Sequence, residues 1–95
     1  MGKELDLFKE IWRERPHYSE VSGEPLDGFS PVYFSHILSK GAYPEHRLNK
    51  DNIILKTYDE HRRWESGDRE LLRKIPMWKK VFDTQDKMKT KWKHG

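Results

Sequence analysis

Four polar side chains fall at spacings at which they could act together: His36, Asn52 sixteen positions on, His61 nine further, and Glu65 four after that. A neutral imidazole such as that of His36 can take a proton from an attacking water, which is general-base catalysis. His61 and Glu65, if helical, project from one face and could hold a divalent ion between them. Asn52 carries a short amide that can tie a loop down through side-chain to backbone bonds. A structural reading stands beside each role. His36 could be a satisfied strand histidine, Asn52 could serve only its turn after Asp51, and His61 with Glu65 could be an exposed pair beside Arg62 and Arg63.

The elements that must position these groups can be read from pattern. Leu5, Phe8, Ile11 and Trp12 recur at spacings of three and four, predicting an amphipathic helix over about 3–14 that Pro16 stops. From His17 to Pro31 the chain is rich in Ser, Gly, Pro and Asp and reads as a loop with at most a short strand. PVYFSHIL is β-branched and aromatic, a strand ending near His36 or Ile37; SKGAYPEHRLNKD is a long loop; NIIL is a second strand. YDEHRRWESG reads as a helix closed by Gly67, and Arg69–Lys74 as another helical piece ended at Ile75, which precedes a proline. Pro76, Trp78, Val81 and Phe82 begin a final helix that gives way to a basic tail over about 87–95. The chain is expected to be one domain over 1–95, of α+β class.

Strand, loop, strand, helix with His, Asn and His in this order resembles the HNH endonuclease family, the ββα-metal nucleases. The runs HILSKG and YPEHRLNKDNIIL are similar to a subset of small HNH proteins from phages and bacteria. The resemblance spans about a third of the chain and implies a ββα-metal core over about 32–66 with flanking helices. It implies a metal-dependent DNA endonuclease leaving a 5′-phosphate and a 3′-hydroxyl, with His36 as base and Asn52 as organiser. His61 would be the principal metal ligand and Glu65 a second. Position 35, often Asp or His in the family and a metal ligand there, is Ser35 here, the third candidate ligand but a poor one unless water intervenes. One divalent ion is implied, Mg²⁺ first, although an imidazole ligand also suits Mn²⁺, Ni²⁺ or Zn²⁺. Many family members carry two CxxC knuckles around a structural zinc. Here SEVS, with Ser19 and Ser22, aligns with the first, and Thr57 and Glu60 with the second. Hydroxyls do not replace thiolates as zinc ligands, so no structural zinc is expected, with aromatic packing by Trp12, Trp64 and Trp78 in its place.

Charge points the same way. Residues 1–35 hold four Lys or Arg against seven Asp or Glu, whereas 36–95 hold fifteen against nine. A locally positive field suits a polyanion, and phosphate contacts supply most sequence-independent affinity for nucleic acid. Arg47, Lys50, Arg62 and Arg63 are the candidate phosphate contacts nearest the site, with a solvated face as the alternative. Lys87, Lys89, Lys91 and Lys93 alternate with Met88, Thr90 and Trp92, either a DNA-binding arm or a solubilising tail. His46 could be a ligand or phosphate contact but reads as an exposed loop residue, and His17 and His94 read as surface residues.

Only 34% of the 95 residues are hydrophobic and 37% are charged, so a thin core must lean on twelve large aromatics. Zero cysteines exclude disulfides and thiolate metal sites. MGKELDLFKE lacks the apolar run of a signal peptide, and no stretch is long and apolar enough to cross a bilayer. A cytoplasmic protein of a bacterial or phage-infected cell is expected, a monomer or homodimer with DNA as partner. The alternative function is a catalytically weak DNA-binding or phage packaging module on the same scaffold.

Overall fold

The alternation of a strand decides which side of this molecule each candidate residue occupies. In the computed structural model, which describes residues 2–67 and 69–91, β1 (Phe34–His36) pairs antiparallel with β2 (Ile53–Leu55). Phe34 faces Leu55, Ser35 faces Ile54 and His36 faces Ile53. Successive side chains point to opposite faces, so Phe34, His36, Ile53 and Leu55 share one face and Ser35 and Ile54 the other. Two strands of three residues cannot stand alone and are held by packing on both faces.

On the first face lies α1 (Gly2–Glu14), the amphipathic helix expected from the Leu5, Phe8, Ile11 spacing. Its buried Phe8 and Ile11 pack with Phe34, Ile53, Leu55 and Leu26, and the Phe8 and Phe34 rings stack with centroids 4.5 Å apart. Beyond α1, Arg15 donates to the carbonyls of Ile53 (2.6 Å) and Lys50 (2.9 Å), clamping the start of β2 to the helix end.

The second face is covered by α2 (Tyr58–Glu65), α3 (Arg69–Arg73) and α4 (Lys79–Lys91). Trp64 and Trp78 are fully buried and stack at 6.0 Å, with Leu72, Val81 and Phe82 around them and Ile54 packed against the cluster. The aromatic packing expected of Trp64 and Trp78 is therefore found here, while Trp12 packs with the α1 cluster. Gly67, at φ +94°, follows α2 in a conformation that an L side chain resists, and Ile75 is extended before Pro76. The fold is α+β: four helices and a two-stranded antiparallel sheet among the described residues.

One expectation needs correction. The basic segment from Lys87 is helical as far as Lys91, because Val81, Gln85 and Met88 recur at helical spacing and are all buried; Met88 packs on Ile37 and Leu38. Lys87, Lys89 and Lys91 are thus exposed helix positions and not part of an extended arm, and Trp92, Lys93 and His94 lie outside the described residues. His17 is exposed, as expected of a surface residue, with its ring stacked on Trp12 at 3.6 Å and its Nε2 2.9 Å from the Trp12 carbonyl.

Ser19, Ser22, Thr57 and Glu60 meet in space. Ser19 Oγ donates to Glu60 Oε1 at 2.5 Å and accepts from the amides of Val21 and Ser22. Glu60 Oε1 also accepts from the Thr57 amide, while Thr57 Oγ1 accepts from the Glu60 amide, closing a capping box at the start of α2. A hydrogen-bonded staple fastens the 19–22 loop to α2 at these positions.

Candidate active site

Between α1, the turn Pro31–Tyr33, β1 and α2 lies a cleft of about 370 Å³, lined among others by Glu4, Phe8, Val32, His36, Lys40, His61 and Glu65. Three of the residues singled out by spacing, His36, His61 and Glu65, share it. His36 arrives from the α1-facing side of β1; His61 and Glu65 arrive from adjacent turns of α2.

Each histidine has its tautomer set by a backbone carbonyl, which can only accept. His36 Nε2 lies 2.8 Å from the Arg47 carbonyl, so Nε2 carries the hydrogen and a neutral ring keeps its lone pair on Nδ1. His61 Nδ1 lies 2.7 Å from the Val32 carbonyl, so here the lone pair is on Nε2. Burial pushes the His36 pKa below its ordinary 6.5, against the opposing pull of the Arg47 carbonyl and Glu4. At neutral pH His36 is therefore an uncharged base, and His61 presents the nitrogen an ion would take.

Asn52 stands behind this cleft. Fully buried, its Oδ1 accepts from the Leu38 amide (2.7 Å), and its Nδ2 donates to the carbonyls of Leu38 (3.0 Å) and His46 (3.2 Å). One side chain thus binds the end of β1 to the loop whose Arg47 carbonyl orients His36. Trp64 adds a second support, its Nε1 donating to the His36 carbonyl at 3.1 Å.

Ser35 is a correction. It sits on the opposite strand face, fully buried, where its Oγ accepts from Lys56 Nζ at 2.9 Å. A ligand role in the cleft is incompatible with that placement. Lys56, fully buried, has its ammonium 4.2 Å from the Trp64 ring centroid and 5.4 Å from that of Trp78. Desolvation pushes its pKa down to about 7, although cation–π attraction favours the charged form. Neither the burial of this lysine nor its partners could be read from the sequence, since strands of three residues are too short to display their alternation.

The expected phosphate contacts divide. Lys50 Nζ is paired with Glu10 and, at 3.0 Å, with Glu14 of α1, and these hydrogen bonds raise its pKa. Arg62 and Arg63 both pair with Asp59 at 3.4 Å on the exposed side of α2. Arg47 remains beside the cleft, its Nη1 3.9 Å from Glu4 Oε2, and Lys40 Nζ lies 3.5 Å from the same oxygen. Lys89 and Lys91 lie in the last turn of α4 and do not line the cleft. His46 is half-buried and takes part through its carbonyl, which accepts from Asn52.

Glu4 and Lys40 were not expected here. Glu4 lies one helical turn before Phe8 and so shares the face that α1 turns to the hairpin, the one sequence signal that could have placed it. Among the described residues no three His, Asp or Glu side chains are grouped closely enough to enclose an ion. Comparison of the chain with protein-family models, with characterised proteins and with solved structures finds no match in any of the three.

Proposed function

We propose that the protein is a divalent-metal-dependent DNA endonuclease of HNH type, with a ββα-metal core formed by β1, β2 and α2. The observation that carries this reading is the pair of histidines in one cleft, their tautomers set by carbonyls so that His36 keeps Nδ1 and His61 keeps Nε2 as the basic nitrogen. Such bonds to backbone carbonyls are how imidazoles are held for proton transfer and metal ligation.

In this mechanism His36 Nδ1 takes a proton from water as the water oxygen attacks phosphorus, and the bond to the 3′ oxygen breaks. Products are a 5′-phosphate and a 3′-hydroxyl, the leaving oxygen taking its proton from solvent. Asn52 holds the loop that orients His36. His61 and Glu65 would hold the ion, and the donor set fits a loosely held Mg²⁺ or Mn²⁺ that keeps water and substrate phosphate as its other ligands. When bound, the ion supplies charge stabilisation at the phosphate and leaving oxygen. His36→Ala should abolish nicking of plasmid DNA in Mg²⁺ or Mn²⁺ while DNA binding persists; cleavage equal to the parent protein would overturn the role.

The withdrawal of Ser35 to Lys56, leaving two protein donors, favours a second reading: a DNA-binding or phage packaging module on the same scaffold with weak catalysis. Calorimetric titration with Mg²⁺, Mn²⁺ and Zn²⁺, with and without DNA, separates the two, since a site without ion affinity cannot support the first.

A further inference from the structure

The cleft's most unusual atom belongs to α1. Glu4 Oε2 is shut off from solvent and accepts no hydrogen bond, yet three nitrogen donors surround it: Lys40 Nζ at 3.5 Å, Arg47 Nη1 at 3.9 Å and His36 Nε2 at 3.9 Å. Good hydrogen bonds between such groups run to about 3.2 Å, so the oxygen is ringed by donors, two of them cationic, without being properly bonded by any of them. His36 Nε2 is already committed to the Arg47 carbonyl, leaving Lys40 and Arg47 as the free donors of this group. Both are roughly half exposed at the side chain, whereas Glu4 is three-quarters covered.

We propose that Lys40 and Arg47 form a phosphodiester-binding subsite at the edge of the cleft, and that the Glu4 carboxylate occupies it when no nucleic acid is bound. Like a carboxylate, a phosphodiester shares one negative charge between two oxygens, so cations that face the Glu4 carboxylate are suited to a phosphodiester in its place. A phosphate bound there would stand beside the Nε2 edge of His36, in the place the Glu4 carboxylate now fills, and Glu4 must then give way. The subsite rests on the nucleic-acid reading above, but binding does not require cleavage, so the two can fail separately.

The test measures binding in EDTA, where no metal-dependent cutting occurs, by fluorescence anisotropy of a short fluorescein-labelled DNA duplex. Glu4→Gln removes the competing charge and should tighten binding about three- to tenfold at low salt. Glu4→Asp keeps the helix's first-turn charge but shortens its reach; it should also tighten binding, which separates displacement from any loss of helix stability. Adding Lys40→Ala or Arg47→Ala to Glu4→Gln should erase the gain. Unchanged or weaker binding by both Glu4 variants, with thermal melting like the parent's, would overturn the subsite. So would loss of Mn²⁺ affinity in Glu4→Gln by calorimetry, which would make Glu4 a ligand instead. Tighter binding by the Glu4 variants of a protein that never cuts DNA would leave the subsite standing and remove the nuclease.

Discussion

Ser19 and Glu60, forty-one residues apart, share a buried 2.5 Å hydrogen bond that joins the 19–22 loop to the first turn of α2. Glu60 is only 5% exposed, and its Oε1 accepts from two donors, the Ser19 hydroxyl and the Thr57 amide. Ser19→Ala strips one donor from a buried carboxylate and the acceptor from two amides. We expect a loss of about 1–3 kcal/mol in urea unfolding. A change within experimental error would mean that the staple is incidental to the fold.

Lys56 makes stability depend on alkaline pH. Its folded pKa, about 7, lies below the ordinary 10.5, so between those values the unfolded chain binds more protons than the folded one. Stability should therefore rise as pH increases through that window, while below about 7 the full cost of burying the charge is present. Lys56→Met should flatten the dependence. Urea titrations across this range check it, and a parent curve that falls steadily from neutral pH upward would contradict it.

Asn52→Ala should leave the Leu38 amide and carbonyl without their side-chain partner and remove one of the donors to the His46 carbonyl, which keeps the Asn49 amide. The expected cost is about 2–4 kcal/mol in thermal or urea unfolding, with looser positioning of the loop that presents the Arg47 carbonyl. Asn52→Asp keeps the acceptor for the Leu38 amide but buries a charge facing two carbonyls, and should be no better tolerated.

If His36 is the base, cleavage should fall as pH drops through its pKa, because only the neutral ring can take a proton. Burial lowers that pKa, so the acid limb of a kcat/KM profile in Mn²⁺ should have its midpoint below 6.5. A limb centred above that value would assign it to another group.

Periodic and punctuating residues made much of the fold legible. The α1 stripe, the extended residue before Pro76, Gly67 after α2 and the order of the hairpin and helix all follow from local chemistry. His36, His61 and Glu65 were found to share a cleft because register and helical spacing are short-range properties. What escaped was set over long range. Lys50 is neutralised by Glu10 and Glu14, and the basic loop's other cations, Lys40 and Arg47, face Glu4 on the same helix. Part of the charge contrast between the two halves of the chain is thus spent within the molecule, so the positive field open to a polyanion is smaller than the composition suggests. KMKTK looked like a tail because its lysines alternate, while the stripe that makes it helical needs Val81 and Gln85 to be seen.

The buried Trp64 indole touches both the hairpin and its charged interior: its N–H donates to the His36 carbonyl, and the Lys56 ammonium and Arg69 guanidinium lie over its ring at 4.2 and 4.0 Å. Indole emission responds to nearby charge, so the molecule carries its own optical reporter. The difference in fluorescence between the parent and Trp64→Phe should track deprotonation of Lys56, and any ligand that shifts the His36 strand should be visible without a label.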